Sequence, residues 1–456
     1  MSLLRILAVA DAGSPTGFER VMRKNMDYLL STGKYDISVG GIGYDGTPDM
    51  EYKYKVYPMP GEYLGYANLE NLIKKTKADV VWTVQDMWNI SHAVRYKPSE
   101  IPMVAYFPVD TPNLKWSYAM VAGGLAAPVA YTQFGAREAA AGVRDAVDLF
   151  CEGIDLKNLS RTEPRSWLSL PHPGDPLHKL SLRLDYLTKW QNPEDWNVVS
   201  HGVDHSQFYE EDKEACRKTY GIPADAFVVG CANTNQFRKR QDLVIRAFAA
   251  LAEKVPDARL LLWSWRSDER GWDLQQLARY YGVYDRTYFV HDQTAELTEV
   301  ELNRLYNCMD VHLNMSGGEG WGLTSVESAQ CGVAQMVPDW SATREIWQNY
   351  GYLIPVPEYR AEPKFLNTFH ACCDVKAAVD WLLRLAIDRD FCREQGQLAQ
   401  ARTKLLPTWE ETGKAFDRII TDAVANNYVP IPFSFQDAVN ARKGEVHSEF
   451  WQKPIR

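Results

Sequence analysis

Short apolar runs that end in a polar or glycine-bearing turn and lead straight into helical spacing recur along this chain, and that alternation leaves little choice of fold. Residues 6–10 are wholly apolar and run into Asp11-Ala12-Gly13-Ser14-Pro15-Thr16-Gly17, after which 18–30 carries apolar residues at helical intervals. A strand that is apolar at every position needs cover on both faces, which a parallel sheet flanked by helices provides. Further strands are predicted over 35–42, 80–84, 102–107 and 129–132, and a second series over 227–231, 259–265, 287–290, 311–314 and 333–337. Helices are expected over 69–77, 242–254, 299–307, 323–331 and 375–386. The expected architecture is α/β, with two Rossmann-like, doubly wound parallel-sheet lobes facing a central cleft.

A chain of 456 residues exceeds what one ordinary core organises, so the two series are assigned to two lobes. Residues 1–200 form the first, 201–425 the second, and 426–456 a tail able to pack back on the first lobe. Residues 142–197 break the rhythm with prolines at 164, 171, 173, 176 and 193. They are read as an insertion in the first lobe, a lid or acceptor-side element with one helix over 177–190.

The net charge of −9 gives no overall attraction to nucleic acid or to an anionic membrane. The 8 cysteines lack CxxC spacing and the 9 histidines form no HExxH pattern, so no metal centre is expected. No stretch approaches the roughly 20 apolar residues of a membrane span. The opening residues pass too quickly into Asp11 for a secretory leader, so a cytoplasmic location without stable membrane insertion is expected.

Two segments carry chemistry. Gly317-Gly318-Glu319-Gly320-Trp321-Gly322-Leu323-Thr324-Ser325-Val326-Glu327 follows a predicted strand and opens a helix near Leu323. Such a turn collects free backbone N–H groups and the positive helix end at one spot, which suits a phosphate, and Glu319 and Glu327 can accept hydrogen bonds from sugar hydroxyls. The plainer alternative is a strand-to-helix turn with Glu327 solvated. Asn233-Thr234-Asn235-Gln236-Phe237-Arg238-Lys239-Arg240-Gln241-Asp242 places three consecutive cations in another strand-to-helix loop, able to neutralise a diphosphate or simply to face solvent.

Together these segments resemble the retaining glycosyltransferases of the GT-B fold, family 4 type (glycosyl transferases group 1). Glu319 and Glu327 stand at that family's spacing of seven residues between two glutamates, and Ser328-Ala329-Gln330-Cys331-Gly332-Val333 with Pro338, Ser341 and Glu345 is similar to its continuation. Lys239 with the following helix, His201-Gly202-Val203-Asp204 with Phe208, and Gly17-Phe18-Glu19-Arg20 resemble further family segments; the likeness covers most of 3–142 and 197–425. It implies a nucleoside diphosphate sugar as co-substrate, UDP-, GDP- or another, and neither cofactor nor metal. It further implies catalytic roles for Glu319, Lys239 and Arg238, and a nucleotide site of Gly17, His291, Gly320, Trp321, Gly322, Leu323, Thr324 and Glu327. Glu327 would hold the ribose and Glu319 the transferred sugar near its 3-hydroxyl. Two departures are informative: Thr234 stands where the family has arginine, so Arg238 is expected to take over a phosphate contact, and Asp110 stands near the position of a first-lobe histidine, for which it is expected to substitute as a catalytic residue and acceptor contact. Asp86 is a further candidate for acceptor contact.

The acceptor stays open among small metabolites, lipid-linked sugars, proteins and modified DNA bases. DNA would require a local basic groove, for which Arg137, Arg144, Lys157, Arg161, Arg165, Lys179, Arg183 and Lys189 are the available residues. A GT-B epimerase or phosphorylase, or a non-catalytic sugar-nucleotide-binding protein, are the alternatives to a transferase.

Overall fold

The computed structural model describes residues 3–426 except 15, 48–50, 99, 153–187, 291–296 and 362–367. The first lobe contains β1 (Leu4–Asp11), α1 (Gly17–Ser31), β2 (Tyr35–Ile42), β3 (Lys55–Pro58), α2 (Leu69–Thr76), β4 (Val80–Val84), α3 (Met87–Tyr96), β5 (Met103–Phe107), α4 (Trp116–Ala119), β6 (Ala127–Ala130), α5 (Gln133–Glu152) and β7 (Asn197–Val198). Its strands pair in the order β3-β2-β1-β4-β5-β6-β7, parallel throughout. The two-residue period of a strand explains the apolar runs. In β1, Leu7 and Val9 join one core while Ile6, Ala8 and Ala10 join the core on the opposite face.

The second lobe contains α6 (Lys213–Thr219), β8 (Phe227–Ala232), α7 (Gln241–Ala252), β9 (Ala258–Trp263), α8 (Leu274–Tyr280), β10 (Thr287–Phe289), α9 (Glu299–Asn307), β11 (Val311–Leu313), α10 (Leu323–Gln330), β12 (Ala334–Pro338), α11 (Ser341–Trp347) and β13 (Tyr352–Ile354). It continues through β14 (Glu358–Ala361), β15 (Phe369–Cys372), α12 (Val375–Ile387) and α13 (Arg389–Thr403), and the described chain closes with α14 (Trp409–Ala425). The order β10-β9-β8-β11-β12-β13 is again parallel throughout, beside an antiparallel hairpin of β14 and β15. Among the described residues no helix is long and apolar enough to cross a membrane.

Several expectations are corrected. The edge strand β3 ends in Pro58 and β14 is exposed at every position, so neither carries an apolar signal; β13 is only 3 residues long. Tyr131 and Thr132, expected in a strand, lie beyond the end of β6. Of the helix expected over 177–190, residues 188–190 form a 3-10 turn and the rest lies outside the described residues, as does most of the insertion and of the tail over 426–456.

The largest correction concerns α14, counted with the second lobe from the sequence. It packs on the first. Phe416 meets Trp82 edge-on at 5.5 Å and Tyr106 at 4.9 Å between ring centroids, and Asp417 pairs with Lys34 Nζ at 2.6 Å. The described chain therefore crosses between lobes twice, and the crossings touch: Val203 N–H donates to the Pro407 carbonyl at 2.8 Å, and a Cβ on Gly202 would fall 2.4 Å from Trp409 N. Buried His201 completes this joint. Tyr106 Oη donates its one hydrogen to the Val199 carbonyl at 2.6 Å, so at 2.7 Å His201 Nδ1 must carry the proton it shares with that oxygen. Burial pushes the imidazole down to about 3, which keeps it neutral.

Phe416→Ala is expected to destabilise the protein by about 3–5 kcal/mol through lost burial and a cavity. Urea unfolding measures this, and a loss below about 1 kcal/mol would contradict the packing of α14 as a structural part of the first lobe.

Candidate active site

The carboxyl ends of both sheets face one another, the position where open parallel sheets bind ligands. The loop after β11 is held by its own side chains. Asn314 Nδ2 donates to Glu319 Oε1 at 3.3 Å, Ser316 Oγ donates to the Gly318 carbonyl at 2.8 Å, and Glu319 N–H donates to Ser341 Oγ at 3.1 Å. A Cβ on Gly318 would fall 2.3 Å from the Asp110 carbonyl oxygen, and one on Gly320 would fall 2.4 Å from Pro108 Cβ. These two glycines thus let the first-lobe loop 108–111 seat on the second lobe. Gly322, at φ 92°, begins α10 without a side chain to cap the first-turn N–H groups.

The loop after β8 brings the cations. Lys239 Nζ lies 2.8 and 2.7 Å from the two Glu319 oxygens. Arg238 spans the lobes, with Nη2 3.2 Å from Asp110 Oδ2, Nη1 3.7 Å from Glu319 Oε2, and a hydrogen bond to the Gly318 carbonyl. Burial works against charge on Glu319, but Lys239 and Arg238 outweigh it and hold the carboxyl below its ordinary value. Lys239 is lowered by the same burial, which Glu319 only partly offsets. Arg240, expected as a third cation of this group, is instead paired bidentately with Asp242 at 2.9 Å for each bond.

Carboxylates also gather at the first lobe's edge. Asp11 ends β1 and accepts from Thr16 Oγ1 at 2.9 Å and Gln85 Nε2 at 3.1 Å; Asp86 and Asp110 follow β4 and β5. Burial first, then the charge of Asp110, pushes the Asp86 carboxyl up to about 8 against the pull of Arg238. Among the described residues no three His, Cys, Asp or Glu side chains form a metal-holding group.

Glu319, Lys239, Arg238, Asp110 and Gly320 therefore come together, whereas Glu327 faces another way. Its Oε2 accepts from Tyr306 Oη at 2.7 Å and its Oε1 pairs with Arg20. Arg20 belongs to one face of α1 that reaches the second lobe three times, since Arg23 lies 3.2 Å from Glu299 and Lys24 2.9 Å from Asp204. Gly17 sits over the start of α10, where a Cβ would touch Leu323 Cδ1 at 3.4 Å. The Trp321 ring is buried in the core between the lobes, 5.3 Å from His201, and Thr324 is half-buried in the first turn of α10. Glu345 accepts from the Gln133 and Phe134 N–H groups at 3.0 and 2.7 Å, bridging α11 to the start of α5. His291 and Asp292 lie outside the described residues, as do Lys157, Arg161, Arg165, Lys179 and Arg183; Arg144 is spent on the Gln191 carbonyl. Sequence reasoning missed Asp11, Asn314, Tyr131, Tyr306 and the hairpin strand β15. From β15, Ala371 N–H donates to the Gly317 carbonyl at 2.8 Å. None of these stands in a motif; Asp11, Asn314 and Tyr131 join the site by their place at strand ends, and Tyr306 through its hydrogen bond from α9 to Glu327.

Residues 226–362 match the family model of glycosyl transferases group 1. The D-inositol 3-phosphate glycosyltransferase of Mycobacteroides abscessus is 35% identical over 140 residues, 30% of this chain and 30% of that protein. Its counterpart in Saccharomonospora viridis is 33% identical over 147 residues, 31% of this chain and 33% of that protein. The aligned stretch thus spans about a third of these relatives' length. Sucrose-phosphate synthase from Thermosynechococcus elongatus shares the fold with a TM-score of 0.65 at 15% identity, over 93% of this chain and 100% of that one. Anabaena HepE in complex with UDP-glucose does so at 0.60 and 13% identity, over 92% and 99%. The fold is GT-B, and its second lobe carries the match to glycosyl transferases group 1.

Lys239→Met leaves Glu319 buried with one cation fewer and is expected to cost about 3–5 kcal/mol, most of which Lys239→Met with Glu319→Gln should recover. Equilibrium unfolding measures the coupling, and additive losses would contradict the pair. Asp86 yields a pH prediction. The folded chain keeps a proton up to about 8 that the unfolded chain releases near 3.8, so this group lowers stability progressively as pH rises through that window. Asp86→Asn should therefore gain in melting temperature relative to the parent between pH 5 and pH 8; an unchanged difference would refute the raised value.

Proposed function

We propose that this chain is a retaining glycosyltransferase that moves a sugar from a nucleoside diphosphate sugar to an acceptor hydroxyl without a metal ion. The observation that carries this reading is Lys239 and Arg238 converging on Glu319 beside the uncapped start of α10. The family match over 226–362 supports it, as do the UDP and UDP-glucose held by Anabaena HepE, which has the same fold.

The second lobe is the donor side. The diphosphate lies against Lys239, Arg238 and the first-turn N–H groups of α10, and Lys239 turns from Glu319 alone to the phosphate as well. The bond between the anomeric carbon and the leaving phosphate oxygen breaks while the acceptor oxygen bonds that carbon from the same face. The acceptor proton passes to the leaving phosphate oxygen. Negative charge grows on the diphosphate as it leaves, so fixed cations and N–H donors stabilise the transition state more than the bound donor. Glu319 accepts from hydroxyls of the transferred sugar, and Glu327, steadied by Arg20 and Tyr306, accepts from the ribose.

The test is a thermal-shift series with UDP-, GDP-, ADP- and TDP-linked sugars, followed by turnover of whichever donor stabilises the protein. One donor is expected to raise the melting temperature, and Lys239→Ala, if folded, to cut turnover by on the order of 100-fold. Unchanged turnover in the folded variant would remove Lys239 from the mechanism, and absence of a shift with every donor would count against the transferase reading.

A further inference from the structure

Four neighbouring strands of the first sheet, β1, β4, β5 and β6, end at one edge, and the residues at or just beyond those ends include Asp11, Asp86, Asp110 and Tyr131. Among the described residues, cationic partners are scarce there. Arg238 meets Asp110 but is shared with Glu319, and Asp11 is held by the neutral donors Thr16 and Gln85. Asp86 stands at the N-cap of α3, yet its side chain makes no capping hydrogen bond. Tyr131 supplies an independent observation. Its side chain is buried, with the residue only 3% exposed, and its ring is packed on Tyr106 and His201. Its hydroxyl has no hydrogen-bond partner among the described residues and lies within electrostatic range of Asp86, Asp110 and Asp11. Buried hydroxyls are nearly always satisfied, so a phenol left unpaired within electrostatic range of carboxylates marks a position for a polar group that the described residues do not provide.

We propose that this edge receives the acceptor and selects a sugar or polyol that bears no phosphate, its hydroxyls donating to the aspartates and one of its oxygens accepting from Tyr131. The inference rests on the transferase reading above and adds the acceptor's charge class. Carboxylates accept hydrogen bonds from hydroxyl groups at little cost, whereas an anionic acceptor brought beside Asp11 and Asp110 meets like charge in a half-buried site.

The experiment uses the full chain with the donor found by thermal shift. Three matched acceptor pairs are offered: glucose and glucose 6-phosphate, fructose and fructose 6-phosphate, myo-inositol and inositol 3-phosphate. Transfer is expected to an unphosphorylated member, with kcat/KM on the order of 100-fold above its phosphorylated partner. Tyr131→Phe is expected to raise the acceptor KM by about 10-fold, the effect of one hydrogen bond, with donor KM and thermal stability kept, since the lost hydroxyl has no partner among the described residues. Preference for a phosphorylated acceptor overturns the proposal. So does transfer to none of the six while the donor is still hydrolysed, or an unchanged acceptor KM in Tyr131→Phe. Failure of every donor to bind strikes the transferase reading instead, and the two failures are thereby told apart.

Discussion

A carboxylate buried at the junction of two lobes must be matched by positive charge, and Glu319 is matched twice, by Lys239 at hydrogen-bond distance and by Arg238 just beyond it. Much of the cleft is arranged around that requirement. Arg238 spends its other face on Asp110, so the same guanidinium that helps stabilise Glu319 also draws the first-lobe loop onto Gly318 and Gly320. Those glycines are needed because backbone approaches backbone there; a methyl group at either position would force the lobes apart. Removing one partner from such a network leaves the others uncompensated in a poorly solvated place, which is why its members depend on one another.

The lobes are joined by means of different kinds. At the joint, two chain crossings lie side by side, with neutral His201 fixed by Tyr106 and packed between aromatic rings of both lobes. Along α1, Arg20, Arg23 and Lys24 reach across as ion pairs, and Arg20 does so to Glu327. The apolar joint is insensitive to salt, while the partly exposed pairs of Arg23 and Lys24 are screened by it, so the contact between lobes has a salt-independent and a salt-dependent component.

The charge distribution differs between the two sides of the cleft. The second lobe presents Lys239, Arg238 and a helix start, all suited to phosphate; the first presents Asp11, Asp86 and Asp110, suited to hydroxyl groups. On the transferase reading proposed above, this separation places the donor and acceptor chemistries on opposite sheets, where each site can be tuned without compromising the other.

The alternation of apolar runs, turns and amphipathic helices determined by itself that the chain forms parallel sheets covered on both faces, because residues such as Leu7 and Ala8, one position apart, point to opposite cores and both need burial. The glycine loop with Glu319 and the Arg238-Lys239 pair were equally legible, since their chemistry lies in contiguous residues. What lacked a local signal had to await tertiary structure. α14 has the same amphipathic pattern wherever it packs, and only the chain crossing at Val203 and Pro407 puts Phe416 on Trp82. Arg240 reads as a third phosphate-binding cation until Asp242 is seen to take it. Asp11 and Tyr131 are unremarkable in sequence, 120 positions apart. They come to the same edge because parallel pairing in the order β1-β4-β5-β6 aligns the ends of distant strands, a juxtaposition that only strand order decides.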